Sequence, residues 1–443
     1  MTKRFRDWDV GQGWLLPPSV LDLVPPDHLS HFVRDVVREE LDLSTILEAY
    51  REERGQPPYH PVMMTALLLY TYSQGIYSSR RIARACQERL DYMAVTAMQQ
   101  PDFRTISDFR KRHLGALEGL FVQVLQLCRR SGLVKLGHVS LDGTKVQANA
   151  SKHKAMSYAR MGSEEARLRE EVRGWLRKAE ELDAEEDERF GADRRGDELP
   201  EWVKDRQKRL EKIRAAKEAL EREAREEAKR LEEAPPPELT PRERSVKKTK
   251  EPPPKAQRNF TDPESRILKT GDGFVQGYNC QAAVDASSQV IVARRVGNRQ
   301  NDAEHLVAVV EQMQNNLGGS SPLELSADNG YLSEKNLEVL QEQGIRGYVA
   351  TGRQRHGKEP PDEARRWNSP WIHAMTARLK RGGFRSRYRL RKQTVEPVFG
   401  QIKDRQGIRQ FLRRGLDNVT TEWSLTCTVH NLRKIHAYRL ATA

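Results

Sequence analysis

At 443 residues the chain is too long for one ordinary domain, and two or three units are expected. Its net charge of +13, with 31% of residues charged, favours a polyanionic partner, nucleic acid first, over an acidic or membrane-embedded role. The four cysteines, Cys86, Cys128, Cys280 and Cys427, form no CxxC pair and have no histidine at metal-ligand spacing, which argues against a zinc site, gives no sign of a disulfide framework and suits a reducing, cytoplasmic compartment. The start, MTKRFRDWDVG, has no apolar signal core, and no stretch approaches a membrane span.

In chain order, prolines 17, 18, 25 and 26 punctuate a leader. DHLSHFVRDVVREEL then carries a helical apolar stripe of Leu29, Phe32, Val33, Val36 and Val37, on which His28 and His31 have capping and packing roles. Residues 60 to 130 predict a helical bundle. VMMTALLLYTYSQG is a buried helix ending near Gly75, Ser79 can cap RRIARACQERL, and Thr105 precedes Asp108 as in a capping box at the start of PDFRTISDFRKRHL. The last helix displays Arg104, Arg110 and Lys111, and two short helices of which the second is basic suit a helix-turn-helix on DNA.

HVSLDGTKVQANAS, residues 138 to 151, alternates Val139 and Leu141 with Ser140 and Asp142, the period of a half-buried strand. Asp142 projects opposite the apolar pair, and Gly143 is expected to break the strand after it. From 152 to 259 two charge-covered helices with narrow apolar seams flank GADRRGDELP, a helical hairpin, and a linker rich in proline and basic residues follows to about 258. The region reads as an insertion, because strands resume after it: GYNCQAAVDA and QVIVARRVG around Ser287-Ser288, then the helix DAEHLVAVVEQMQNNL, the strand LELSAD, the helix SEKNLEVLQEQG and the strand IRGYVAT. This order suits a mixed sheet with helices on its faces. Residues 352 to 387 look irregular and very basic. A helix TVEPVFGQIKDRQG, capped by Thr394 with Pro397 in its first turn, and a closing helix from Asp417 to about Leu440 end the chain.

Three carboxylates stand out. Asp142 and Asp328 each sit where a strand hands over to a loop, and parallel neighbouring strands would deliver both to one crevice. On the later helix Glu396 shares a face with Gly400 and Lys403. Three oxygen donors without cysteine or histidine suit Mg²⁺ or Mn²⁺, and two such ions roughly 4 Å apart serve phosphodiester chemistry. Asp272, Asp285 and Asp302 compete on the same domain, but Asp285 falls in a hairpin turn and Asp302 can cap a helix.

LDGTKVQANAS, GYNCQAAVD, ADNGYLSEKNL and TVEPVFGQIK with the following FLRRGL resemble the catalytic domain of DDE transposases of bacterial insertion sequences, and the region from Tyr59 to Val124 resembles their N-terminal domain. The resemblance implies a ribonuclease H-like α/β fold with a helical N-terminal domain, and Asp142, Asp328 and Glu396 as the metal-binding triad for two Mg²⁺ or Mn²⁺ ions. Related transposases carry Tyr-x₂-Arg-x₃-Glu-x₆-Lys. Tyr388, Arg391, Glu396 and Lys403 follow it with one extra residue before the glutamate, and Lys392 holds the arginine spacing.

The expected organisation is a helical DNA-binding domain at 1–130, a catalytic domain at 138–151 and 260–440, and the insertion with its linker at 152–259. The expected activity binds terminal inverted repeats, cleaves at the element ends and joins the 3′ ends to target DNA, as a dimer at least, with Lys403, Tyr388, Arg391 and Lys392 beside the acids on DNA. The alternatives are a metal-dependent nuclease on the same fold and a DNA-binding protein with a decayed site.

Overall fold

The computed structural model describes residues 19–50, 57–190, 201–232, 241–271, 273–352, 369–382 and 386–442. The expectations for the leader to residue 18, for GADRRGDELP and for 353–368 lie outside the described residues. The architecture is a mixed α/β one, a helical N-terminal region against a mixed sheet. Seven helices come first: α1 Leu29–Glu39, α2 Ser44–Leu47, α3 Pro61–Ser73, α4 Ser79–Glu88, α5 Leu90–Thr96, α6 Phe103–Arg112 and α7 Leu114–Arg130. His28 caps α1, its Nδ1 accepting the Ser30 N–H at 3.2 Å, and His31 is buried with Nε2 3.3 Å from the Val24 carbonyl. Gly75, at φ +70°, ends the buried α3. Two local expectations are corrected. Ser79 does not cap α4, because its hydroxyl accepts from Arg110. Asp102 rather than Thr105 caps α6, accepting the N–H groups of Arg104 and Thr105 at 2.7 and 3.2 Å, as a charged acceptor just ahead of the helix does best.

The strands are β1 His138–Gln147, β2 Ala155–Ser157, β3 Gln257–Asn259, β4 Arg266–Thr270, β5 Gly273–Asp285, β6 Ile291–Gly297, β7 Glu324–Ala327 and β8 Arg346–Val349. β1 runs through Gly143 without the expected break, because an antiparallel ladder to β5 holds it from Val139 to Gln147. Its other edge pairs in parallel with β7, and β7 pairs in parallel with β8. β4 and β6 share the far edge of β5. Apolar side chains of α1, α3 and α7, of the sheet and of the closing helix form one contiguous core.

Helices α8 Tyr158–Phe190 and α9 Glu201–Glu232 meet along Leu168, Leu210, Ile213 and Leu220, with Met156 and Met161 at the base. The small β2–β3 ladder brings the chain out of the sheet region and back at one point. The stretch expected to be linker holds a further helix, α10 Pro241–Thr249, which seats Val246 on Ala224 and Ala228 of α9. After β6 come α11 Leu306–Asn316 and α12 Glu334–Glu342, followed by a helix at Pro370–Gly382, where irregular chain was expected.

The helix bearing Glu396 begins at Leu390, so Pro397 lies inside it rather than in its first turn, and Thr394 donates to the Leu390 carbonyl instead of capping. Proline withholds the N–H owed to Gln393, and the Gln289 side chain donates to that carbonyl instead, at 3.1 Å. The closing helix, Leu416–Thr442, locks the sheet from one face. Trp423 donates its indole N–H to the Gln281 carbonyl, and the Asn431 amide makes two 2.8 Å bonds to the backbone N–H and C=O of Ile291 on β6. Among the described residues, no helix is long and apolar enough to cross a membrane. All four cysteines are buried and free.

Asn431→Leu keeps the branched side-chain shape but leaves both Ile291 groups buried without partners. Denaturant unfolding is expected to show a loss of about 2–5 kcal/mol, the sum of two desolvated backbone groups.

Candidate active site

β1 and β7 are in parallel register with Leu141 opposite Ala327. The next residue on each is an aspartate, so Asp142 and Asp328 stand side by side about one strand spacing, ~4.8 Å, apart in backbone. Asp142 stays in the ladder, while Asp328 leaves β7 in extended conformation and caps the turn Asn329–Tyr331, accepting the Gly330 N–H at 2.8 Å. Burial pushes the Asp142 carboxyl up to about 6, with Arg391 pulling the other way and Asp328 adding to the rise. Asp328 is raised too, by burial first, with the Gly330 N–H opposing and Asp302 adding. Two acids that resist ionisation side by side form a site that favours a cation between or beside them.

Arg391 supplies one cation beside them. Its Nη1 donates to Asp142 Oδ2 at 2.5 Å, and its Nη2 lies 3.4 Å from Glu396 Oε1. Glu396 is thereby joined to Asp142 through one guanidinium, although its side chain is 48% exposed against 16% for Asp142. Arg391 also lies over the Tyr388 ring at 5.9 Å. Lys392 is exposed. Arg391 thus reaches both acids despite its one-residue offset, because it starts the same helix one turn before Glu396. Lys403 follows in a π-helical turn, Gln401–Arg405, half-buried with its ammonium disfavoured by burial and with Cys280 and Lys145 among its neighbours.

Elsewhere the expected DNA contacts divide. Arg104 and Lys111 are exposed on α6. Arg110 is corrected: it is buried, donating to Tyr72 Oη, the Tyr77 carbonyl and Ser79 Oγ, so it fastens α6 to the end of α3 and the start of α4 instead of lying on the exposed basic face. Asp285 is structural, accepting the N–H groups of Lys135 and Leu136 on Oδ2 and that of Ser287 on Oδ1. Asp272 lies outside the described residues. Asp302, which sequence explained as a helix cap, makes no capping bond and turns toward the centre.

The donors Asp142, Asp328 and Glu396 are all hard oxygens and fit a hard divalent cation in kind. Among the described residues no three acids already converge into a cation cage; the Arg391 guanidinium fills the gap between Asp142 and Glu396.

Residues 18–112 match a family model described as transposase domain (DUF772), and residues 363–436 match one described as transposase DDE domain. The two matches agree, and together they support a DDE-type transposase of an insertion element. The second covers Arg391, Glu396 and Lys403, while Asp142 and Asp328 fall between the two. No curated protein and no solved structure matches the chain. DDE transposases generally depend on divalent metal ions.

Because Asp328 has its folded-state pKa raised, its contribution to stability is fully present below the ordinary carboxyl range and is lost as pH rises through the raised value. Asp328→Asn keeps the acceptor for Gly330 and removes the charge. It is expected to melt about 1–3 °C higher than the unaltered chain in EDTA at pH 8. That advantage should shrink toward zero near pH 4, which thermal melts across the pH range would measure.

Proposed function

We propose that the chain is a DNA transposase of ribonuclease H-like fold that binds the terminal inverted repeats of its element, hydrolyses a phosphodiester at each end and joins the freed 3′ ends to target DNA. The observation that carries this is the parallel register that sets Asp142 beside Asp328, with Glu396 brought to Asp142 by Arg391. In this reading residues 138–151 and 260–440 form the catalytic domain, 1–130 the DNA-binding domain and 152–259 an insertion on it. Bringing two element ends together requires at least two copies.

Asp142, Asp328 and Glu396 would hold two Mg²⁺ or Mn²⁺ ions. When bound, such ions activate water or a 3′-hydroxyl and stabilise the leaving oxygen. The remaining work falls to the chain itself. Arg391 balances the acids before DNA arrives, and a phosphate entering the crevice offers its guanidinium a bidentate acceptor, which frees Asp142 and Glu396. Lys403 and the exposed Lys392 add positive charge along the approaching strand, and Tyr388 holds the Arg391 side chain in place. On α6, Arg104 and Lys111 provide the exposed basic face for the element end, and Arg110 supports it from inside.

Positioning and chemistry should separate. Asp142→Asn, Asp328→Asn and Glu396→Gln are expected to bind element-end duplex at least as well as the unaltered chain, yet to yield neither nicked nor joined product in Mg²⁺. Products scored on one gel decide it, and Glu396→Gln cleaving at an unchanged rate would remove the assignment. Nicked ends without joined product from the unaltered chain would make it a nuclease.

Arg104→Ala with Lys111→Ala is expected to weaken end binding and to flatten the salt dependence of log K by roughly one unit per lost phosphate contact. A salt titration with an unchanged slope would move end recognition off α6.

A further inference from the structure

Asp302 opens the short turn Ala303–His305, yet its carboxylate caps nothing. Its Oδ1 instead takes three donors: Asn279 Nδ2 at 2.6 Å, Gln281 Nε2 at 2.9 Å and Lys145 Nζ at 3.3 Å. Asn279 and Gln281 lie two apart on β5, and their partners across the ladder are Lys145 and Gly143. All four therefore share one face of the sheet, the face opposite the one from which Asp142 projects.

Two glycines make room for this carboxylate. A Cβ on Gly143 would sit 2.6 Å from Gln281 Nε2 and 3.1 Å from Asp302 Oδ1. A Cβ on Gly330 would sit 3.0 Å from both Asp302 Oδ2 and Asp328 Oδ1, so those two oxygens lie within twice that distance of one another. Neither glycine has a positive φ. Space, not backbone freedom, is what each provides, and each stands within two residues of one of the paired aspartates. The turn after Asp328 is tied to the same group, since the Tyr331 hydroxyl donates to Gln281, which itself donates to Asp302.

We propose that Asp302 is a positioning residue of the centre: a carboxylate set behind Gly143 and beside Asp328, balanced by Lys145, that fixes the Asp328 turn and sets how strongly the Asp142–Asp328 pair holds a divalent cation. The inference rests on the transposase reading of that pair. Asp302 adds a negative charge close to both acids without needing to touch the ion, and Lys145, 3.3 Å from it, subtracts from that charge. Asp302, Lys145, Asn279 and Gln281 thus set the local field from the opposite face of the sheet.

Charge and scaffolding predict different things, and Mn²⁺ binding to the full chain without DNA, followed by the electron paramagnetic resonance of the free ion, tells them apart. Asp302→Asn, an isostere that keeps its acceptor oxygen, is expected to raise the half-saturating Mn²⁺ concentration on the order of tenfold. Lys145→Gln is expected to lower it severalfold. A purely structural role moves both variants the same way or neither. Half-saturation within twofold of the unaltered chain for Asp302→Asn, or weaker binding in Lys145→Gln, overturns the inference. If Asp302→Asn unfolds, the direction of the Lys145→Gln shift decides alone. The Asp142→Asn/Asp328→Asn double variant marks the boundary with the underlying reading. Mn²⁺ binding lost there but unmoved by Asp302→Asn overturns the inference and leaves the transposase assignment standing, whereas an unaltered chain that binds no Mn²⁺ overturns both.

Discussion

The structure depends on one pairing, the parallel ladder between β1 and β7. Parallel strands advance in step, so a residue that follows Leu141 and one that follows Ala327 must emerge together. Both are aspartates. Their proximity is therefore a property of the backbone hydrogen bonds, and side-chain packing only trims it. A one-residue slip of β7 would move Asp328 to the other face and dissolve the site, which is why both flanking residues, Leu141 and Ala327, are wholly buried and pin the register.

That arrangement works against stability. Burial raises both carboxyl groups, with Asp328 adding to the rise at Asp142 and Asp302 to that at Asp328, and the chain offsets the conflict with cations of its own. Arg391 ties Asp142 to Glu396 on one side of the sheet, and Lys145 meets Asp302 on the other. Both cations are half-buried and belong to elements held firmly by the core: Lys145 to the central strand, Arg391 to a helix whose Val395 and Val398 are fully buried. The crowded acids are thus balanced from both sides of the sheet by cations of the chain itself.

The helical region and the sheet are joined through the closing helix rather than through a flexible connection. Trp423 reaches the carbonyl of Gln281, the residue whose side chain serves Asp302, and Asn431 closes the start of β6. The Ser424 hydroxyl donates to the Glu118 carbonyl of α7. The C-terminal segment therefore contacts both the sheet and the N-terminal bundle.

Much of this was legible in the sequence, because periodicity is local. The alternation of Val139 and Leu141 about Asp142, the strand LELSAD ending in Asp328, the helical stripes and the glycine stops at Gly75 and Gly344 each follow from a few neighbouring residues, and the four quoted motifs already carried the family resemblance. Caps and boundaries were less legible. Ser79, Thr105 and Thr394 all had the right chemistry for a cap, and each was overridden by a partner distant in sequence or by a helix that began earlier. The strand β4 and the helices at Pro241–Thr249 and Pro370–Gly382 carry weak patterns and exist because β5, α9 and β8 offer them a surface. Tertiary structure alone decided the fates of Arg110, Arg391 and Asp302. A basic helix face looks the same in sequence whether an arginine meets solvent or the end of another helix. Nor does spacing along the chain say that a guanidinium will bridge two acids, or that an aspartate at a helix start will turn away from the helix toward a glycine on the central strand. Sequence determines which groups are available and which local backbone they sit on; which of them share one field is decided by strand register and packing, whose partners lie far away along the chain.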